Sequence, residues 1–213
     1  MPYGPGAGAI PAGTVRGGPV NSCDECGFTF DSVPRDQVAG RIREFGRRYR
    51  AALRRPADGT DRADGTDRAE GTDRADGTDR LRRRPAPGVW SALEYACHVR
   101  DVLRVQADRV TLALQVDEPM FEPMRRDERA VEERYNEQDP TVVVDELSTA
   151  AEVLADTFTA LRPQEWLRTG GYVWPRPQIR TLEWVGRNTV HEGEHHLVDI
   201  ERALTAGGPA PRS

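Results

Sequence analysis

Histidine is the side chain in this sequence best suited to metal chemistry, and three of the four histidines lie close together, at positions 191, 195 and 196. Residues four apart on an α-helix share one face, with Cβ atoms about 5–6 Å apart, so His191 and His195 could bind one metal ion. Two ligands hold a metal poorly, and the remaining histidine, His98, is the candidate for a third. The sequence therefore predicts a metal site of His98, His191 and His195 in a helical protein.

The predicted ligand set is typical of a catalytic metal site. Three neutral imidazoles bind Zn²⁺, with Ni²⁺ or Fe²⁺ as alternatives, and three protein ligands leave one position for water or substrate. A metal there lowers the pKa of a bound water or thiol and so provides a nucleophile near neutral pH. Each metal-binding histidine also needs a partner for its other ring nitrogen. Asp101, three residues after His98, and Asp199, four after His195, are the candidates.

The same stretch allows a different enzyme. His191, Glu192 and His195 match the His-Glu-x-x-His signature of metallopeptidases, in which the glutamate is the general base. The third ligand of that class lies downstream of the motif, and the 18 residues that follow His195 lack the further histidine of the longer version of the motif. The sequence also gives little indication of strands that could form a substrate-binding sheet. A metallopeptidase therefore remains the less favoured alternative.

Four amphipathic segments could position these residues, and the first two precede position 119. The first begins near Pro34 and has apolar residues three or four apart, as a helix with one buried face requires. The second begins at Ser91, which forms a capping box with Glu94. It contains His98 and should end by Glu118-Pro119. Its predicted start and end place His98 near the amino-terminal end of a long helix.

The other two helices follow an irregular charged segment. Asp139 and Pro140 provide an N-cap and a first-turn proline for the third helix, which should end before Pro163. The fourth helix is predicted from about Thr181 to Leu204, and it carries the histidine motif on an inward face. Four such helices predict an all-α fold, a four-helix bundle with a site built between facing helices.

Two segments between the helices are irregular. Residues 57–80 are four tandem hexapeptides of the type Ala-Asp-Gly-Thr-Asp-Arg, one with Glu in place of the first Asp. They contain no apolar residue beyond Ala, so they cannot offset the entropy of ordering, and we expect a flexible insertion rather than a calcium-binding repeat. Residues 163–180 are rich in aromatic residues, and this loop could either cover a pocket or seal one end of the bundle.

Composition limits the remaining possibilities. The net charge of −5 argues against a nucleic-acid-binding protein. No apolar run approaches the length of a membrane helix, and no secretion signal is evident, so we expect a cytoplasmic protein. We expect the following organisation: a disordered tail (1–22), a segment with two cysteines (23–33), one bundle domain (34–204, with the insertion at 57–80) and a second tail (205–213).

Three stretches together resemble the DinB/YfiT-like superfamily: VWSALEYACHVRD (89–101), TLEWV (181–185) and TVHEGEHHLVDI (189–200). The resemblance covers residues 34–204 apart from the repeat. It implies a four-helix bundle with a metal bound by three residues, commonly histidines, one from the second helix and two from the last. In this sequence those residues correspond to His98, His191 and His195.

The resemblance also implies an enzymatic activity. Characterised members of the superfamily include thiol-dependent transferases and isomerases that use mycothiol, bacillithiol or glutathione. All basic residues of this chain are arginine, which suits an actinobacterial source, where mycothiol is the expected thiol. The thiol sulfur would then bind the open metal position and attack an electrophilic carbon.

The cysteines suggest a second metal site. Cys23-x-x-Cys26-Gly27 resembles one half of a zinc ribbon, but the sequence has no second pair of this kind. Once three histidines are assigned to the first site, the remaining soft ligands for a closed four-ligand site are Cys23, Cys26, Cys97 and His196. An antiparallel arrangement of the second and fourth helices, which the resemblance implies, would turn Cys97 and His196 to opposite sides. A zinc or redox role for Cys23 and Cys26 alone, or no role, therefore stays open.

The sequence thus predicts a DinB-like metal-dependent enzyme, either a thiol-dependent S-transferase of the mycothiol type or a related hydrolase. The expected cofactors are a divalent metal, zinc or alternatively nickel or iron, and a low-molecular-weight thiol as co-substrate. The alternatives are a non-catalytic metal-binding helical bundle and, less favoured, the metallopeptidase. We expect a small-molecule substrate and no nucleic-acid or membrane partner, and a homodimer is left open.

Overall fold

Helices form most of the described part of the chain, and the prediction of an all-α four-helix bundle is confirmed. The computed structural model describes residues 15–16, 22–54, 78–173 and 177–206, without side chains for 15 and 16. Most of the predicted tails and of the hexapeptide repeat lies outside these residues. The end of the repeat, 78–80, is described and is helical.

The four long helical segments of the bundle are residues 38–54, 92–115, 140–159 and 182–206. The first of them is interrupted at Glu44. In the described part of the chain, three-residue 3₁₀ turns lie before Val38, between Glu132 and Pro140, and between Thr159 and Leu182. The helices are α1 (Val38–Arg43), α2 (Phe45–Arg54), α3 (78–82), α4 (Ala92–Gln115), α5 (Arg126–Glu132), α6 (Pro140–Thr159) and α7 (Leu182–Ala206).

Capping hydrogen bonds confirm the predicted starts of the second and third long helices, α4 and α6. Ser91 Oγ accepts from the Glu94 amide at 3.2 Å, and Glu94 Oε2 accepts from the Ser91 amide at 2.8 Å, which completes the capping box of α4. Asp139 Oδ1 accepts from the amides of Thr141 and Val142 at 2.7 and 3.2 Å at the start of α6. These bonds satisfy amides that the first turn of a helix leaves without partners.

A small sheet at one end of the bundle was not expected from the sequence. Its strands are β1 (Val15–Arg16), β2 (Met120–Phe121), β3 (Thr169–Tyr172) and β4 (Gln178–Thr181), in the order β1-β4-β3-β2. β3 and β4 are antiparallel, and β1 and β2 run parallel to their neighbours. Strands this short have no detectable alternation of polar and apolar residues, and the glycines of β3 disfavour a strand prediction.

The core lies between the long helices and fixes how α7 sits in the bundle. α7 packs against α4 on one side and against α1 and α2 on another. Tyr49 OH on α2 donates a 2.8 Å hydrogen bond to the carbonyl of Gly193, in the middle of the histidine motif. A Cβ added at Gly193 would overlap the ring of Phe45, so the helices can approach this closely only because residue 193 is glycine. None of the described helices is both long and apolar enough to cross a membrane.

We predict that Gly193→Ala lowers the free energy of unfolding by about 1–3 kcal/mol, the usual penalty for overpacking a filled core. The loss should occur although alanine is favoured over glycine in a helix by about 1 kcal/mol. Gly40→Ala in α1 is the matched control, because an added Cβ there meets nothing within 4 Å. Denaturant unfolding measures both variants, and equal stabilisation by both would contradict the close contact with Phe45.

Candidate metal centres

The histidine motif of α7 presents its side chains to three different neighbours. Glu194 pairs with the first helical segment, at 2.5 Å from Arg41 Nη2 and 3.3 Å from Arg48 Nη1.

The four histidines of the chain form a continuous row of neighbouring rings. The ring centroids are 5.0 Å apart for His98 and His196, 5.2 Å for His196 and His195, and 5.3 Å for His195 and His191.

One group of candidate ligands consists of His98, Glu192 and His196, whose ligand atoms lie within 4.8 Å of one another. Glu192 Oε2 is 3.5 Å from His196 Nε2 and 4.0 Å from His98 Nε2. His98 comes from α4, and the other two residues are four apart on α7. One carboxylate and two imidazoles thus converge on one point between the two helices.

Burial and charge give the two histidines of this group opposite protonation. Burial, and then repulsion by His196, lowers the pKa of His98 to about 3, so its ring is neutral and keeps a free lone pair. Burial also disfavours a charged His196, but hydrogen bonds to Asp199 and Glu192 outweigh it and raise its pKa to about 9. The pKa of Glu192 is lowered against the effect of burial by its bond to His196. Without a metal, a proton on His196 therefore supplies the positive charge that Glu192 faces.

A pocket of about 680 Å³ opens beside this first group. His98 and Glu192 both line it, together with polar side chains from α4 and α7, among them Gln106 and Asn188. Its volume is within the range of about 300–1,000 Å³ that is usual for small-molecule sites. The full lining is His98, Val102, Val105, Gln106, Arg109, Pro123, Met124, Arg125, Arg126, Asp127, Glu128, Tyr172, Val173, Asn188 and Glu192.

The aromatic loop (residues 163–180) both lines a pocket and seals part of the bundle, the two alternatives that the sequence allowed. Tyr172 and Val173 line the pocket, whereas Trp166 is buried and stacks on Phe158 of α6, with ring centroids 5.3 Å apart. Trp174 lies outside the described residues. The strand β3 therefore brings part of this loop to the pocket, and the 3₁₀ turn before β3 seals the bundle.

A second group of candidate ligands consists of Cys23, Cys26, His191 and His195, again with ligand atoms within 4.8 Å of one another. Cys23 Sγ is 3.7 Å from His195 Nδ1. Both cysteines and both histidines are partly exposed. The segment before α1 therefore lies against the face of α7 next to the one that carries Glu192 and His196.

The structure groups the candidate ligands differently from the sequence prediction. Among the described residues, His98 is not grouped with His191 and His195, because that pair turns to Cys23 and Cys26. Adjacent helical residues point about 100° apart, so the α7 pair that faces α4 is the neighbouring one, Glu192 and His196. Glu192 and His196 have the same four-residue spacing as His191 and His195, so spacing alone does not show which pair faces α4.

Cys97 and His196 do not join Cys23 and Cys26 in a four-ligand site. Cys97 Sγ lies in the core, 3.6 Å from Tyr135 O and 3.7 Å from Gln138 Oε1. His196 belongs to the group with His98 and Glu192. The two side chains thus turn to different neighbours, as expected for an antiparallel arrangement of their helices.

The two predicted orienting carboxylates have different surroundings. Asp101 is buried in a polar network, where its carboxylate accepts from Arg100 Nε at 2.8 Å and from Tyr135 OH at 2.5 Å. Asp199 instead reaches both groups: its Oδ2 is 2.9 Å from His196 Nδ1 and 3.4 Å from His195 Nε2. Asp199 is therefore placed to orient two histidines, whereas Asp101 stabilises the interface of α4 with the Tyr135 turn.

We predict that Cys97 does not react with iodoacetamide in the folded protein at mildly alkaline pH. Its side chain is fully buried, and burial raises the pKa of the thiol to about 12, so the reactive thiolate is scarce. Mass spectrometry of peptides from folded and denatured protein measures the reaction at each cysteine. Modification of Cys97 before unfolding would contradict its placement in the core.

Comparison with known proteins agrees with this architecture. The structure of YfiT from Bacillus subtilis, described as a probable metal-dependent hydrolase with an unusual four-helix bundle topology, superposes with a TM-score of 0.66. The two chains are 16% identical, and the match covers 88% of this chain and 91% of YfiT. A search of curated protein sequences finds no significant match. The family model of the DinB superfamily matches residues 72–198, more than half of the 213 residues, and the protein therefore belongs to the DinB superfamily.

Proposed function

We propose that this protein is a metal-dependent enzyme that binds a divalent cation through His98, Glu192 and His196. The observation that carries the proposal is the convergence of these three ligands at a pocket of about 680 Å³, which two of them line. A site with three protein ligands and access to a pocket has room for a substrate, as catalytic metal sites do. Zinc suits the donor set, with nickel or iron as alternatives.

The donor set fits a divalent cation in charge and in protonation. The neutral ring of His98 needs to lose no proton before it binds a metal. His196 must release its proton, and the cation would replace the positive charge that Glu192 now faces. With one carboxylate as the only charged ligand, a divalent ion leaves a net positive site, which favours an anionic fourth ligand.

When bound, the metal would lower the pKa of a thiol or water at the open position and so supply a nucleophile. The protein's own residues would then hold the metal and orient its ligands. Asp199 fixes the ring of His196 through Nδ1, which leaves Nε2 directed at Glu192. Tyr172 and Asn188 form part of the pocket wall, next to His98 and Glu192.

Two reactions share this chemistry, and we propose a thiol-dependent S-transfer of the mycothiol type or a related hydrolysis. In the transfer, a thiolate sulfur would attack an electrophilic carbon of a small molecule in the pocket, so that a C–S bond forms while the bond from that carbon to its leaving group breaks, and the leaving group departs with the electron pair and takes a proton from water. In the hydrolysis, hydroxide takes the place of the thiolate. YfiT, which has the same fold, is described as a probable metal-dependent hydrolase. The transfer is proposed because the superfamily that the sequence motifs resemble includes thiol-dependent transferases.

The other candidate functions have less support. A non-catalytic metal-binding bundle would have a filled site without a cavity, whereas His98 and Glu192 line a pocket. A metallopeptidase would need an open metal position beside His191 and His195, and two cysteine thiols lie within 4.8 Å of those histidines. The pocket therefore favours an enzyme, and the cysteines disfavour the peptidase.

We predict that Glu192→Gln and His98→Ala each bind one metal ion fewer per chain than the native protein. Both variants should lose thiol transfer and hydrolysis by more than about 100-fold, beyond the loss usual for a residue outside the ligand set. Elemental analysis measures the metal, and assays with thiols plus electrophiles and with activated esters measure the activity.

The matched control for that experiment is Glu152→Gln. Glu152 is an exposed carboxylate on α6 that pairs with Arg43 at 2.8 Å, away from the pocket lining. It should keep native metal content and activity. Unchanged metal content in Glu192→Gln and His98→Ala would overturn the assignment of this site.

We further predict that Asp199→Asn weakens metal binding by about 10–100-fold, the usual effect of removing the carboxylate behind a ligating histidine. The protein should stay folded, because Asp199 lies on the partly exposed side of α7. Competition with a chromogenic chelator measures the affinity, and Asp145→Asn, at an exposed aspartate paired with Arg50, is the control. An affinity equal to that of the control would remove the orienting role of Asp199.

A further inference from the structure

We propose that Cys23, Cys26, His191 and His195 form a second metal site, a closed structural zinc site that fastens residues 22–30 to α7. The four ligand atoms already lie within 4.8 Å of one another. In tetrahedral zinc sites the metal–sulfur distance is about 2.3 Å and the metal–nitrogen distance about 2.0–2.1 Å, so ligand atoms are about 3.3–3.8 Å apart. The 3.7 Å between Cys23 Sγ and His195 Nδ1 is within that range.

The loop that carries the cysteines is folded to present both thiols together. The amide of Gly27 donates to Cys23 O at 2.8 Å, and the amide of Cys23 donates to Phe28 O at 2.8 Å. Gly27 has φ +73°, a left-handed conformation that glycine adopts without strain. Ser22 and Thr29 close the loop with an antiparallel bridge. The Cys23-x-x-Cys26-Gly27 stretch is therefore a tight turn whose two sulfur atoms share one side.

His191 provides an independent sign of a missing ligand. Both of its ring nitrogens are buried, and neither has a hydrogen-bond partner among the described residues. The rings of Phe28 and Phe30 pack against it, with centroids 5.3 and 5.1 Å away. Buried ring nitrogens without hydrogen-bond partners are unfavourable, and coordination of a metal would satisfy one of them.

His195 is oriented for the same purpose. Its Nδ1 faces Cys23, whereas its Nε2 faces the carboxylates of Asp199 and Glu25 at 3.4 and 3.5 Å. Metal-binding histidines usually donate their second ring N–H to such a carboxylate. His195 thus has one nitrogen that faces a thiol and one that faces two carboxylates.

The chemistry of the four donors selects zinc and a structural role. Two thiolates and two imidazoles in a tetrahedral arrangement are a common zinc set, and four protein ligands leave no position for a substrate. Two thiolates also balance the charge of Zn²⁺, so the partly buried site would be neutral. This contrasts with the net positive charge proposed for the site of His98, Glu192 and His196, and the two proposals do not depend on each other.

A disulfide between Cys23 and Cys26 is the main alternative for this loop. It would use both sulfur atoms but leave the nitrogens of His191 without partners. It would also leave unexplained why His195 Nδ1 faces Cys23. The metal accounts for all four side chains, and the disulfide accounts for two.

The test compares the double variant Cys23→Ser/Cys26→Ser with Cys97→Ala and Glu192→Gln. Elemental analysis should give one metal ion fewer per chain for the double variant than for the native protein, whatever the site of His98, Glu192 and His196 holds. Cys97→Ala, which removes a core thiol outside both groups, should keep the native metal content. After replacement of zinc by cobalt, the native protein and Glu192→Gln should show thiolate-to-cobalt charge-transfer absorption, and the double variant should lack it.

A second measurement reads the thiols directly and does not require a folded variant. In the native protein, Cys23 and Cys26 should resist alkylation until a strong chelator removes the zinc, and Cys97 should resist until unfolding. Alkylation of Cys23 and Cys26 without a chelator, or an intact mass two hydrogens lower because of a disulfide, would overturn the proposal. Retention of charge-transfer absorption by the double variant would also overturn it.

Discussion

The close approach of α7 to the first helical segment sets the geometry of both candidate metal sites. Gly193 lies against the Phe45 ring, and its carbonyl accepts from Tyr49 OH at 2.8 Å. This contact fixes the rotation of α7 about its axis, and adjacent residues on a helix point about 100° apart. The rotation therefore sends one pair of motif residues to α4 and the next pair to the segment before α1. Those pairs are Glu192 with His196, and His191 with His195.

The two groups of ligands differ in the property that separates catalytic from structural sites. The group that includes His98 has three donors with a single carboxylate and lies beside a pocket. The group that includes Cys23 and Cys26 has four donors, two of which can be thiolates. A closed, charge-balanced set holds a metal without offering it to a substrate, whereas an open and positively charged set attracts an anionic ligand. One stretch of α7 would thus supply two ligands to each of the two proposed sites.

Local sequence signals predicted the helices well, whereas they did not indicate which candidate ligands lie together. The capping box at Ser91 and the N-cap at Asp139 gave the starts of α4 and α6, since capping depends on residues within one turn. All four histidines were recognised as candidates, but which of them meet depends on the rotation of α7. That rotation is set by Gly193 against Phe45, a contact between residues distant in the sequence. The short strands were not predicted because they are defined by backbone pairing between strands rather than by a local sequence pattern.

Asp199 connects the two sites more directly than their shared helix does. One of its oxygens is 2.9 Å from His196 Nδ1 and 3.4 Å from His195 Nε2, so a single carboxylate faces a histidine of each group. The hydrogen bond that Asp199 accepts from the His196 ring therefore depends on the position in which the His195 ring holds the carboxylate. Metal at the cysteine site would fix His195, and so fix Asp199 in the position that orients His196. The segment 22–30, which contributes no residue to the pocket lining, would then support the pocket-facing site through this carboxylate.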